Sequence, residues 1–271
     1  MTSRLPSLYI PHGGGPCFFM DPMPGMPADL WNKMAAYLGA IASSLPARPD
    51  AVLVISAHWE TPRPTVGAAA RHSLLFDYYG FPEHTYHLTY PAAGSPALAA
   101  RVRELLRQAG IESDADERRG IDHGVFIPFK LIFPNADIPI VPLSLRQDLD
   151  ARAHIAVGAA LASLRDEGVL VVGSGMSYHN LRELLRPSSQ ASEAARQFDR
   201  WLASTVAIAD GLRRQEALAH WQQAPGALAS HPRAEHLLPL MVATGAAGQD
   251  PGRIAYSDNL LGKAISAVQF G

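Results

Sequence analysis

Continuous apolar runs alternate along this chain with stretches in which apolar residues recur every three to four positions. The clearest run is Ala51-Val-Leu-Val-Ile55, which gives way to Ser56, Ala57, His58, Trp59 and Glu60. A short unbroken run rich in Val and Ile predicts a strand buried on both faces, inside an α/β sheet. The pattern repeats twice. Ser7-Leu-Tyr-Ile-Pro11 leads into His12-Gly-Gly-Gly15, and Val169-Leu-Val-Val172 leads into Gly173-Ser-Gly-Met-Ser-Tyr-His179. Open α/β sheets place their ligands at the carboxyl ends of strands. Three strands delivering three histidines to one sheet edge are therefore a site hypothesis in themselves.

Further strands are predicted over residues 65–70, 138–145, 255–257 and 264–270. Helical spacing marks residues 30–45, with Leu30, Met34, Leu38, Ile41 and Leu45 on one stripe and Pro46 as the stop. Residues 96–109 form a second predicted helix, with Ser95 as N-cap, Pro96 in the first turn and Gly110 at the end. Others are predicted over 125–133, 151–165, 192–208 and 212–221, and one opening at Pro232. Strands alternating with helices imply an α/β sandwich with a central, mostly parallel or mixed sheet flanked by helices. Without a linker, repeat or low-complexity break, residues 1–271 are expected to form a single domain.

Composition narrows the function. A hydrophobic content of 48% with 18% charged residues describes a globular chain with a sizeable core. A net charge of -2 and a pI near 6.6 give no electrostatic reason to expect nucleic acid or an anionic membrane as partner. No apolar run approaches the roughly 20 residues of a membrane span. Leu8-Tyr-Ile10 is too short for the apolar core of a secretory leader. Cys17 is the only cysteine, so no intrachain disulfide can form, and a cytoplasmic location is expected. Cys17 could serve as a nucleophile, although a lone buried thiol is the commoner case.

Histidine is the abundant functional residue type, with 11 copies. Five of them, His12, His58, His123, His179 and His236, stand at expected loop ends beside Gly, Pro or acidic residues. Neutral imidazole is a common ligand of zinc and iron. Singly each is more often a hydrogen-bonded structural residue; together they make a stronger case. No HExxH or CxxC pattern occurs, so a site would be assembled from distant segments. His154 and His220, the latter beside an exposed-looking Trp221-Gln-Gln, read as surface residues. His72, His84 and His87 lack site context, and His231 could be a ligand or a helix cap. The Gly13–Gly15 loop and the Gly173-Ser-Gly175 turn are weak cradle candidates, because neither completes a phosphate or dinucleotide fingerprint. The Tyr- and Phe-rich stretch 72–96 is long and irregular, which suits either a pocket wall or a loop packed on the core.

These segments, read together, resemble the class III extradiol ring-cleavage dioxygenases with LigB-type catalytic subunits, and within them the 4,5-DOPA extradiol dioxygenase-like group. The resemblance rests on Pro11-His-Gly13, Val54-Ile-Ser-Ala-His-Trp59, Gly80-Phe-Pro82, Tyr90-Pro-Ala-Ala-Gly-Ser-Pro96, Asp122-His-Gly124, Ala136-Asp-Ile-Pro139, His179-Asn-Leu181 and Glu235-His-Leu-Leu-Pro-Leu240. It implies a non-haem Fe(II) centre with His12, His58 and His236 as metal ligands. His179 would be the acid/base residue, or a fourth ligand, and His123 would hold the substrate or an oxygen-derived intermediate. The wider class usually has a carboxylate as third ligand, which makes Glu235 the rival of His236. An all-histidine site also suits Zn(II). The implied reaction opens the ring of a DOPA-like or related catechol with O2 to a semialdehyde acid. The expected partners are thus a small aromatic diol and O2, with the chain as monomer or homodimer. Arg146 and Arg182 are candidate partners for a substrate carboxylate. The competing reading is a zinc-dependent hydrolase with His179 or Glu60 as base; a non-enzymatic metal-binding or interaction module is the third.

Overall fold

The structure is a computed structural model that describes residues 4–185 and 188–271. In chain order the elements are β1 (Ser7–Pro11), α1 (Asn32–Ser44), β2 (Ala51–Thr61), β3 (Thr65–Gly67), α2 (Pro96–Gln108), β4 (Asp114–Asp116), α3 (His123–Ile132), β5 (Ile140–Arg146), α4 (Ala151–Ala160), β6 (Val169–Gly175), α5 (Leu181–Leu185), α6 (Ser189–Val206), α7 (Gly211–Ala219), α8 (Ala227–Ser230), α9 (Leu238–Ala247), β7 (Gly252–Leu260) and β8 (Lys263–Phe270). The strands join in one eight-stranded mixed sheet of order β4-β3-β5-β2-β6-β1-β8-β7. Its centre, β5-β2-β6-β1, is wholly parallel, and β8 runs antiparallel to β1. The three runs singled out in the sequence are therefore adjacent central strands whose carboxyl ends share one edge.

Strand periodicity divides the core. Leu53, Ile55, Val169, Val171 and Tyr9 face one side, with α2, α4 and α9 over them. Val52, Val54, Leu170, Val172 and Ile10 face the other, under α1 and α3. Every residue of α9 is buried, which explains why it shows no polar stripe. Helices α4 and α9 approach closely through glycine: a Cβ on Gly158 would stand 2.0 Å from Val242 O, and one on Gly245 would stand 2.0 Å from Ile155 O.

Several sequence expectations shift. The predicted strand 255–257 grows to Gly252–Leu260, because pairing with β8 carries Asp258 and Asn259 into the ladder despite their low strand propensity. Leu261 and Gly262, both with positive φ, close the hairpin in two residues. Strand β4 was not anticipated; Asp114-Ala-Asp116 carries no strand signal and forms by pairing with β3. The predicted helix 151–165 breaks after Ala160 into a 3-10 turn, Ala162–Arg165. No helix opens at Pro232: residues 231–237 are irregular, and α9 starts at Leu238 with Pro239 in its first turn. Gly173 and Gly175 lie inside β6 rather than in a turn. Their missing side chains let the segment before α9 lie against the strand, since a Cβ on Gly175 would stand 2.1 Å from His236 O. No helix among the described residues is long and apolar enough to cross a membrane.

Candidate metal centre

All five singled-out histidines meet at the carboxyl edge of the central strands. His12 follows β1, and its backbone N–H donates to Gly175 O at the end of β6. His58 lies within β2, where the register against β5 shifts between Ile55 and Glu60. Such an irregularity re-aims side chains. Here the turned backbone is held by the His58 N–H donating to Ser56 Oγ, and Arg119 Nη2 donates to His58 O. Beneath it Asp122 is fully buried, accepting from Ser56 Oγ and from Arg119. His123 opens α3. His179 follows β6 and donates its N–H to Ser230 O. His236 comes from the irregular segment before α9, and its carbonyl accepts from the Tyr9 hydroxyl at 2.7 Å and from Met176 N–H.

The ring of His12 stands 4.8 Å from that of His58 and 5.2 Å from that of His236, centroid to centroid. His58 and His236 are 4.9 Å apart, and His123 lies 4.0 Å from His58. His179 stacks on His236 at 3.3 Å. Each imidazole has an acceptor beside its Nδ1. For His12 this is Gly13 O at 2.9 Å, for His236 Glu235 Oε1 at 2.9 Å, and for His123 Asp77 Oδ1 at 2.8 Å. His179 has Glu235 Oε1 at 3.3 Å and His58 has Asp77 Oδ2 at 3.6 Å. A carbonyl or carboxylate on Nδ1 leaves Nε2 as the bare, ligating nitrogen, the usual support of a metal-bound histidine.

The nitrogens fit a cation. His236 Nε2 is buried and has no hydrogen-bond partner. His12 Nε2 and His58 Nε2 face each other at 3.2 Å. Two nitrogens sharing one metal at about 2.1 Å stand about 3.0–3.4 Å apart in octahedral to tetrahedral geometry. Burial and the neighbouring imidazoles hold His12 well below the ordinary histidine range. Burial likewise depresses His236, and with His123 brings His58 down to about 4. The three are neutral at physiological pH, as ligands must be. Burial opposes ionisation of Asp77, but the hydrogen bonds from His123 outweigh it and hold the carboxyl at about 2. Burial opposes ionisation of Glu235 too, and the bonds from His179 and His236 keep it well below the usual carboxylate range.

The histidines floor a cavity of about 590 Å³. Tyr78 and Phe81 of the aromatic stretch wall it, while Tyr90 of the same stretch is core, so both readings of that stretch hold in part. The Gly13–Gly15 loop wraps Cys17 and Phe18; a Cβ on Gly13, at φ +82, would strike Cys17 Sγ at 2.5 Å. Cys17 accepts from Gly14 N–H, and burial pushes its thiol up, which disfavours the nucleophilic thiolate.

Most other candidates fall away. Glu60 is ion-paired with Arg233, outside the cavity, so it is not placed as a base. Arg146 is engaged by Asp148, whereas Arg182 lines a groove that shares His179, Asn180 and Leu181 with the cavity and keeps its place as a candidate. His231 is fully buried between Phe198 and Trp221 and donates Nε2–H to Ser177 O, a structural role. His154 is not a surface residue: it is 1% exposed, with Nδ1 donating to Asp150 O and Nε2 accepting from Arg146 N–H. Trp221 beside His220 is buried as well. Sequence reading missed Asp77. Its signal is weak, one acid within Phe76-Asp-Tyr-Tyr-Gly-Phe81, and only the fold brings it to His123 and His58.

Over residues 6–268 the chain matches the family described as the catalytic LigB subunit of aromatic ring-opening dioxygenase. It is 42% identical over 204 residues to the 4,5-DOPA dioxygenase extradiol of Beta vulgaris, covering 75% of each chain. It is 35% identical over 273 residues to the protein of the same name from Escherichia coli (strain K12), covering 100% of this chain and 96% of that one. The crystal structure of the uncharacterized protein JW3007 from Escherichia coli K12 superposes with a TM-score of 0.78 at 33% identity, over 99% of this chain and 100% of that chain.

Proposed function

This chain belongs to the LigB-type family of extradiol aromatic ring-opening dioxygenases, and from that premise we propose that it cleaves a DOPA-like or related catechol with O2 to a semialdehyde acid. Family members are metal-dependent, and among the described residues two neighbouring groups could hold a metal, His12 with His58 and His123, and His179 with Glu235 and His236. His12, His58 and His236 are the proposed ligands. The observation that supports this choice is the buried, partnerless His236 Nε2, on a ring whose centroid lies 5.2 Å from that of His12 and 4.9 Å from that of His58, whose own Nε2 atoms face each other. Iron(II) is the proposed active metal, with Zn(II) able to occupy the same nitrogens without redox chemistry. When bound, iron would pass electrons between the ring and dioxygen.

The chain's own groups do the rest. His179 Nε2 takes a proton from a catechol hydroxyl, and Glu235 at its Nδ1 stabilises the imidazolium so formed. The same proton is available for the oxygen that leaves its partner as the ring opens. His123, oriented by Asp77, turns its other ring edge to the cavity and hydrogen-bonds oxygen on the substrate side. Tyr78 and Phe81 exclude water from the reacting ring.

Oxygen uptake tests the reading. Protein reconstituted anaerobically with Fe(II) should consume O2 with a catechol, matched one-to-one by a coloured ring-opened product, and zinc-loaded protein should consume none. Iron-loaded protein that is silent toward a broad catechol panel refutes it.

A further inference from the structure

Two hollows adjoin at His179. The cavity over the histidine floor and a groove of about 430 Å³ are both lined by His179, Asn180 and Leu181, and the groove runs on past Arg182, Glu183, Pro232 and Arg233. The shared residues follow β6 and open α5, so one short stretch carries the proposed base and the border between the two hollows. That stretch is fixed in place. The His179 N–H donates to Ser230 O at 2.9 Å. Asn180 donates from Nδ2 to Ala229 O at 2.8 Å, and its Oδ1 accepts from the Glu183 N–H. Arg182 therefore extends from an anchored backbone.

The charges of the groove are not equivalent. Arg233 is taken up by Glu60 and Glu235, and Glu183 Oε2 accepts from Ser188 Oγ at 3.1 Å. Arg182 is exposed and, among the described residues, has neither a hydrogen-bond nor an ion-pair partner. A free guanidinium offers a carboxylate two parallel N–H donors. Three residues along the chain place the Arg182 Cα at most about 11 Å from that of His179. With the reach of the arginine itself, a catechol carrying a three-carbon acid chain bridges the two.

We propose that Arg182 is a specificity-determining residue, which holds the carboxylate of a ring substituent in the groove while the histidine floor holds the diol. The proposal rests on the ring-cleavage reading for the place of the diol, and it gives that reading a second anchor for the substrate.

Two ligands that differ in charge test it: 3-(3,4-dihydroxyphenyl)propionate and its methyl ester. Binding is measured anaerobically by calorimetry on zinc-loaded protein. Arg182→Gln, at an exposed position, should fold normally and lower the acid-to-ester affinity ratio at least about threefold, with the ester little changed. Arg182→Lys keeps the charge without the fork and should fall between wild type and Arg182→Gln. Arg146, engaged by Asp148 and lining neither hollow, is the control, and Arg146→Gln should leave the ratio at its wild-type value. A ratio unmoved by Arg182→Gln, an equal loss for acid and ester, or a ratio moved as much by Arg146→Gln overturns the proposal. Oxygen uptake by iron-loaded protein is scored separately. If the ratio shifts as expected and neither compound consumes O2, the carboxylate subsite stands and the ring-cleavage reading loses its support. If both compounds are cleaved and Arg182→Gln leaves the ratio unmoved, the reading stands and the subsite is wrong.

Discussion

Glu235 Oε1 lies 2.9 Å from His236 Nδ1, and the opposite nitrogen of that ring, Nε2, is buried without a partner. The two chain neighbours thus divide the work that either alone could have been assigned. In the proposed centre the carboxylate supports and the imidazole presents. Because Glu235 also reaches His179 Nδ1, it links the proposed ligand set to the proposed base. Glu235→Gln, which keeps the shape but removes the charge, should weaken metal affinity by about 10- to 100-fold. Competition with a chromophoric chelator measures it; an unchanged affinity would show that Glu235 does not support the ligand.

Removing a ligand should empty the site. His12→Ala, His58→Ala and His236→Ala should each lose most bound metal after dialysis, read by elemental analysis. Full occupancy in any one of them takes that residue off the ligand list.

His179→Ala should behave differently. It should retain metal and bind a catechol anaerobically, yet lose on the order of 10²- to 10⁴-fold in turnover. Near-wild-type turnover would end the acid/base assignment.

The close approach of β6 to His236 should be sensitive to a single methyl group. Gly175→Ala places a Cβ 2.1 Å from His236 O. The backbone must move, which should cost about 1–3 kcal/mol of stability and lower metal affinity together. Denaturant titration and chelator competition read the two effects. A Gly175→Ala protein with wild-type values for both would contradict the packing described here.

Stability of the metal-free protein should depend on pH through its buried histidines. Burial holds His231 at about 4, against 6.5 for an ordinary histidine. Between those values the unfolded chain binds more protons than the folded one, so stability falls as pH drops. It should be complete above about pH 6.5 and diminish toward pH 4, with His231 alone contributing a loss of about 3 kcal/mol. His58 acts in the same direction. Urea midpoints at pH 7.5 and 4.5 test the expectation, and equal midpoints would refute it.

What the sequence determined by itself was the sheet centre and its chemistry. Ala51–Ile55, Ser7–Ile10 and Val169–Val172 are apolar on both faces, so they could only be interior strands, and His12, His58 and His179 follow them within a few residues. Local pattern was enough because burial on two sides leaves a signature in every residue of the strand. Tertiary structure decided the rest. Asp77 supports His123 from 46 residues away, a separation at which spacing carries no information. Glu235 and His236 are adjacent and chemically interchangeable as ligands; the Tyr9 hydroxyl and Met176 N–H, by fixing the His236 carbonyl, orient the pair. The edge strand β4 and the ends of β7 exist only because a partner strand supplies their hydrogen bonds. Side-chain burial is written into local sequence, whereas contacts between distant segments depend on where the whole chain brings them.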